Sequence, residues 1–321
     1  MTEAKKKPHL HILFPLVSAL ALLCVLYQTE IAVERMNYGL HLCVTTIIPT
    51  LFPFMVLSEL IVAGGAIRPL GRLFARPCRA LFGISEQSAC VLLLGWLCGF
   101  PVGTRCAVKL RRQGLIDDEE LSHLLCFVNI PSSAFLIGTV GDSLMGDRRF
   151  GVALYCITLL SAVLIGAATN TFRHKKKTQI ASFLERTVFL KTDTVRVFNE
   201  AVSDSALAML RICAFVVFFA VVVGVVEALI ATLSLPQPLY ALLFGLFEMT
   251  GGTARAAMLN DPALSETLCM FLIGWSGISV HCQMMSLCTD VKLSPRSYLL
   301  AKASHGLLNV LLWAGARQLF F

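Results

Sequence analysis

Two arginines stand inside strongly apolar sequence, each just after a run of small residues. Arg105 follows Gly99, Phe100, Pro101, Val102, Gly103 and Thr104, while Arg255 follows Thr250, Gly251, Gly252 and Thr253. A guanidinium stays charged at physiological pH and offers five donors in a planar fork, a geometry suited to a carboxylate or phosphate. Inside a bilayer such a cation needs something negative beside it. Two sources are open, an anionic solute or an internal carboxylate such as Glu59, Glu227 or Glu248. The recurrence of the arginine in both halves favours the solute.

Neutral donors and acceptors gather at two later points, Asn129, Ser132 and Ser133 around Pro131, and Ser276 and Ser279 around Gly277. Serines also ease close helix packing in membranes, and packing alone accounts for any one of them. His281 has the chemistry to relay a proton, but a lone histidine reads as a hydrogen-bonded packing residue. Lys302 and His305 share a face of the last apolar stretch, where Lys302 lies near enough to the end to snorkel to the interface.

The elements that position these residues are membrane helices. Of the 321 residues, 56% are hydrophobic and 15% charged, against about a quarter charged in an ordinary soluble domain. Residues 10–27, 150–170, 210–233 and 298–320 each reach the length of roughly 20 residues that spans a bilayer core. The +7 formal charge sits in short clusters between apolar segments, which orients a membrane protein and excludes a nucleic-acid groove. None of the twelve cysteines falls in a C-x-x-C spacing, so they read as small buried hydrophobes, with no metal site and no cofactor. No phosphate-binding loop, H-E-x-x-H or G-x-S-x-G occurs, so no catalytic residue is assigned and the chain is read as no enzyme. Lys5, Lys6 and Lys7 precede an uncleaved first helix and stay in the cytoplasm.

A repeat runs through the chain. G-W-L-C-G-F-P-V-G-T-R-C-A from Gly95 lies on G-L-F-E-M-T-G-G-T-A-R-A-A from Gly245, aligning Arg105 with Arg255. The connectors of the first half carry Arg68, Arg72, Arg76 and Arg79, then Lys109, Arg111 and Arg112. The corresponding stretches of the second half, 233–239 and 258–266, carry no basic residue. Basic loops stay cytoplasmic, so the halves face opposite ways, the charge signature of an inverted repeat. Basic clusters on both sides of residues 86–108 make that segment a re-entrant hairpin with its tip at residues 99–103. Glycine supplies unusual backbone angles there and proline ends the helical ladder. The second hairpin, 240–257, places its tip at Thr250-Gly251-Gly252. The next segment of each half is a broken helix, interrupted at residues 129–133 and 274–277. Backbone freed at such breaks has to face protein or water.

The stretches P-T-L-F-P-F-M-V-L-S-E-L from Pro49, G-F-P-V-G-T-R from Gly99 and F-V-N-I-P-S-S from Phe127 resemble the YlbJ-type sporulation integral membrane proteins, within the wider nucleoside-recognition (Gate) domain group. The second half departs from the pattern, having M-T-G-G in place of G-F-P. The resemblance implies endospore formation and movement of dipicolinate, an aromatic dianion, across the outer forespore membrane of a bacterium. The expected fold is all-α, a polytopic membrane protein of two inverted repeats, each with a re-entrant hairpin and a broken transmembrane helix. Its parts are an N-terminal transmembrane helix (1–30), a first Gate-like repeat (31–177), a cytoplasmic linker (178–204) and a second Gate-like repeat (205–321). The expected function is secondary transport of a small organic anion. A non-transporting organiser of spore membranes and a nucleoside transporter are the alternatives. Expected partners are the anionic solute and the lipid bilayer, without nucleic acid, and a homo-oligomer is compatible with the pattern.

Overall fold

The computed structural model describes residues 8–63, 67–171 and 194–320; the lysine cluster at 5–7 and residues 178–193 of the linker lie outside them. The described chain is all-α, and no β-strand occurs within it. Three helices are long and apolar enough to cross a bilayer, or up to five when each sharply bent pair counts as one span. The protein is a polytopic membrane protein.

The first half opens with α1 (Pro8–Tyr27), which bends by 97° into α2 (Thr29–Leu42). A π-wound turn (Cys43–Ile47) joins α2 to α3 (Ile48–Ala63). Next, α4 (Ile67–Phe82) turns 92° from α5 (Glu86–Cys98). Arg72, Arg76 and Arg79 are exposed along one side of α4, while Cys78 and Phe82 are buried on the other. That division suits a helix lying in the membrane interface. The hairpin partner α6 (Val102–Arg112) follows, then α7 (Asp118–Val128), a break, a π-wound segment (Ala134–Leu144) and α8 (Arg148–Thr171).

From the hairpin onward the second half repeats this order, with a single long helix before it where the first half has α1 to α4. It begins with the long α9 (Thr194–Ile230), which runs unbroken across the 204/205 boundary, so the linker from Thr194 onward forms its opening turns. Then come the hairpin α10 (Gln237–Phe247) and α11 (Met249–Ala257), the broken helix α12 (Pro262–Trp275) and α13 (Gly277–Leu287), and finally α14 (Pro295–Phe320).

Local sequence explains these boundaries. The Ser85 hydroxyl accepts from Ser88 N to start α5, the Asp117 carboxylate from Glu120 N to start α7, and the Asp261 carboxylate from Ala263 N and Leu264 N to start α12. The break after α7 falls at Asn129–Ser133, where Pro131 cannot continue a ladder. The break after α12 falls at Ser276, which adopts φ 73°. Both breaks lie where the sequence placed them.

One tip lies elsewhere. The second hairpin reverses at Glu248, not at Thr250-Gly251-Gly252, which are the opening residues of α11. Glu248 accepts from Thr250 N at 2.8 Å and Gly251 N at 2.6 Å, so a carboxylate cap starts α11 and the glycines are free for another task. That task is close packing. A Cβ at Gly252 would stand 2.1 Å from Gly245 Cα, and in the first hairpin a Cβ at Gly103 would stand 3.0 Å from Gly95 Cα. Small residues let the arms of each hairpin touch backbone to backbone. The arginines at the alignment's core therefore sit on equivalent arms, α6 and α11.

Behind the hairpins, α14 packs against α12, α8 and α7. It meets α12 at Gly274 and Gly306, where a Cβ on Gly274 would approach Gly306 Cα to 2.6 Å. At the hairpin's base Arg112 makes a two-point ion pair with Asp290, in the connection before α14, at 2.7 and 2.8 Å. The Arg112 hydrogen bond holds that carboxyl below the usual carboxylate range.

Candidate functional site

Each hairpin is pinned to the broken helix of its own half. In the first, Phe100 N donates to Ile130 O at 2.9 Å, and Trp96 Nε1 donates to Phe127 O at 3.0 Å. Gly99 lies so close to Ser132 that a Cβ there would stand 2.4 Å from its backbone nitrogen. In the second, Trp275 Nε1 donates to Leu246 O at 2.9 Å, and Gly277 lies against Phe247 O and Met249 N. The indole thus belongs to the hairpin in one half and to the broken helix in the other.

The two halves also meet. Thr104, fully buried on α6, donates to Asn129 Oδ1 at 2.7 Å and lies 2.8 Å from Met284 Sδ on α13. The decisive link is Lys302. Its ammonium donates to the Asn129 carbonyl at the first break and reaches Ser276 Oγ at 3.4 Å at the second. Lys302 is 1% exposed, so it does not snorkel. The position near the end of α14 suggested a route to water, but α7, α8 and α12 pack around this helix and close that route. No carboxylate lies within ion-pairing distance of Lys302 among the described residues; its partners are a carbonyl and a hydroxyl. A buried ammonium with only neutral partners is expensive, because partial dipoles replace its hydration incompletely.

The two arginines have internal partners. Arg105 pairs with Glu59 at 3.4 Å and donates to Ser205 Oγ at 2.8 Å, while Lys109 also contacts Glu59. Arg255 pairs with Glu227 at 2.5 Å and donates to Gly251 O, and Arg35 approaches the same carboxylate at 3.6 Å. The Arg255 guanidinium also lies 5.7 Å and 5.3 Å from the Tyr240 and Phe244 ring centres. Internal carboxylates therefore stand beside both arginines, Glu59 at Arg105 and Glu227 at Arg255, while Glu248 caps α11. Lys109 is thus a second cation at Glu59, and Arg35, from the first half, a second cation at Glu227. Arg35, Glu227 and Arg255 line a cavity of about 50 Å³ with Tyr38, Glu248, Thr250 and Gly251.

Glu59 is the more confined carboxylate, its side chain 4% exposed against 17% for Glu227. Glu59→Gln takes from Arg105 and Lys109 the one carboxylate that both contact directly, leaving Asp204 as a more distant negative charge. It is expected to destabilise the protein by about 3 kcal/mol, the lower end for breaking a buried pair. Adding Lys109→Met should recover part of the loss. Thermal unfolding in detergent measures both, and an unchanged midpoint for the single variant contradicts the pairing.

Other residues singled out in sequence have local duties. Thr253 bonds back to Met249 O and Thr250 O, Ser132 accepts from Phe135 N, and Ser279 accepts from Gln283. Pro101 is buried at the start of α6, and Ser133 is half-buried at the far edge of the first break. His281 Nδ1 meets Tyr298 OH at 2.9 Å, and its ring lies edge-on to Trp275. Lys302 carries the site's central charge, and a sequence signal for it existed. Tyr298, Lys302, His305 and Asn309 follow one another at spacings of 4, 3 and 4, a polar stripe on one face of an apolar helix, and all four are buried.

Among curated proteins, the chain is similar to the sporulation integral membrane protein YlbJ of Bacillus subtilis (strain 168), with 24% identity over 90% of this chain and 79% of that protein. No protein-family model matches, so the wider Gate-domain relation gains no support from that comparison, and no solved structure matches either. The similarity runs through most of both chains and is to an integral membrane protein, in keeping with the polytopic all-α architecture of this chain.

Proposed function

We propose that this protein acts in spore formation as a secondary transporter of a small organic anion, dipicolinate being the candidate substrate. The observation that carries the proposal is Lys302, a buried ammonium bridging two helix breaks with no carboxylate beside it. An arriving carboxylate supplies the missing charge, and Asn129, Ser276 and Thr104 offer the neutral hydrogen bonds around it. Broken helices meeting at such a point are the architecture in which one bundle rocks against another around a fixed site. Similarity to a sporulation integral membrane protein supports the sporulation role. The opposite orientation of the halves, the outer forespore membrane as location and association into a homo-oligomer belong to this proposal.

The test is uptake of labelled dipicolinate by vesicles containing the purified protein. Uptake saturable in dipicolinate and indifferent to excess nucleoside is the expected result. Competition by nucleosides assigns the site to a nucleoside carrier, and no uptake of either removes transport in favour of a structural role in the spore membrane.

A further inference from the structure

The polar stripe of α14 continues beyond Lys302 into a seam with α8 that the anion site leaves unexplained. His305 Nε2 lies 2.9 Å from the Thr158 carbonyl, an acceptor, so Nε2 carries the proton and donates. Its Nδ1 is then a bare lone pair, and it has no hydrogen-bond partner. Asn309 donates to Thr158 Oγ1 and Met270 O, leaving Oδ1 without a partner, and Ser161 Oγ, one turn from Thr158, has none. All four side chains are fully buried. Unfilled polar atoms in one seam mark a place that water or a proton occupies.

His281 is held by another kind of partner: its Nδ1 meets the Tyr298 hydroxyl at 2.9 Å, a bond either atom can donate, and its Nε2 has no partner. His305 can take a proton at Nδ1 and keep its bond to Thr158. Charge balance says when it would do so. A dicarboxylate brings two negative charges to a site where Lys302 supplies one positive, and His305 stands three residues further along the same helix face, within neighbour range. In a low-dielectric interior the second charge draws a proton to the nearest open base.

Resting on the anion-transport reading above, we propose that His305 is the proton site of a proton–dicarboxylate symport. One proton leaves water and forms an N–H bond at Nδ1 when the dianion occupies Lys302. That bond breaks and the proton returns to water on the opposite face when the anion leaves. The other ionisable groups facing this stretch are Cys126 of α7 and His281 and Cys282 of α13, with Cys288 after α13 and with Tyr298 and Lys302 on α14 itself. α8 contributes Thr158 and Ser161. The carboxylate of α12, Glu266, is tied to Arg317, twelve residues along α14 and about 18 Å away, too far to compete.

The experiment uses the full chain in proteoliposomes with dipicolinate as probe. The native protein should accumulate it down an inward proton gradient. His305→Gln, whose amide can still donate to Thr158 O, should lose that accumulation at least tenfold. It should still exchange labelled for unlabelled dipicolinate, at raised KM and with a flattened pH profile. His281→Gln should stay coupled. Calorimetry of dipicolinate binding to the native protein, in buffers of different ionisation enthalpy, should report about one proton taken up per anion and needs no variant. Undiminished gradient-driven accumulation by His305→Gln, or zero protons bound with the anion, overturns the proposal. Loss of coupling in His281→Gln instead overturns it equally. If the native protein neither binds nor exchanges dipicolinate, the transport reading itself falls, and this one with it.

Discussion

Lys302→Met is expected to abolish dipicolinate uptake while leaving the helix bundle as stable as the native protein, or more so. The two effects have opposite sign because the ammonium serves the solute and not the fold. It is enclosed with a carbonyl and a hydroxyl as partners. Ionic hydrogen bonds of this kind contribute about 1.5–3 kcal/mol each, whereas the effective cost of withdrawing one such charge from water is several kcal/mol. Methionine has a similar length and no charge, so that cost disappears. What is lost is the Asn129 carbonyl's partner, about 1–3 kcal/mol, which leaves the balance near zero or favourable. For uptake nothing offsets the change. A carboxylate arriving between the two breaks loses its counter-charge, and about 3 kcal/mol of lost interaction is a decrease of more than 100-fold. Vesicle uptake and thermal unfolding read the two arms separately. Uptake above a tenth of the native rate removes Lys302 from the solute's path, and unfolding of the methionine variant makes the lysine structural.

The largest effect on folding is expected at Gly252. An alanine Cβ there stands 2.1 Å from Gly245 Cα and 2.7 Å from Gly245 N, and neither is a side-chain end that can swing away. Ordinary contact requires the arms α10 and α11 to part by more than 1 Å. Because the second hairpin also touches the second break through Gly277, the strain passes into the site. Overpacking of a rigid contact costs about 1–3 kcal/mol and occasionally more, and a backbone-to-backbone clash belongs at the upper end. Gly103→Ala, with 3.0 Å to Gly95 Cα and 2.8 Å to a Val128 methyl, should be milder. Gly138→Ala meets nothing within 4 Å and should be nearly neutral. Unfolding midpoints should fall in the order Gly252, Gly103, Gly138, from most to least affected. A Gly252→Ala protein as stable as Gly138→Ala would mean that the hairpin arms do not touch as described.

What the sequence determined by itself follows from short-range rules. Composition and apolar length require a membrane protein, because an 18- to 24-residue apolar run has no other stable surroundings. Pro131 forces a break since it has no N–H to give, and the G-F-P-V-G run gives the first hairpin its tip. The capping residues Ser85, Asp117 and Asp261 start helices by bonding within a few residues of themselves. Such features depend on neighbours in the chain, so they are legible before any folding.

Tertiary structure alone decided how the buried charges are matched. Arg105 finds Glu59, 46 positions away, and Arg255 finds Glu227, because helices distant in sequence cross there. The tip of the second hairpin moved to Glu248 because its glycines serve a helix contact and not a turn. Lys302 joined the two breaks because α7, α8 and α12 enclose the face that carries it. Sequence spacing shows which residues share a helix face. Whether that face meets lipid, water or another helix is fixed by long-range packing, and in a membrane that difference decides what a charge is for.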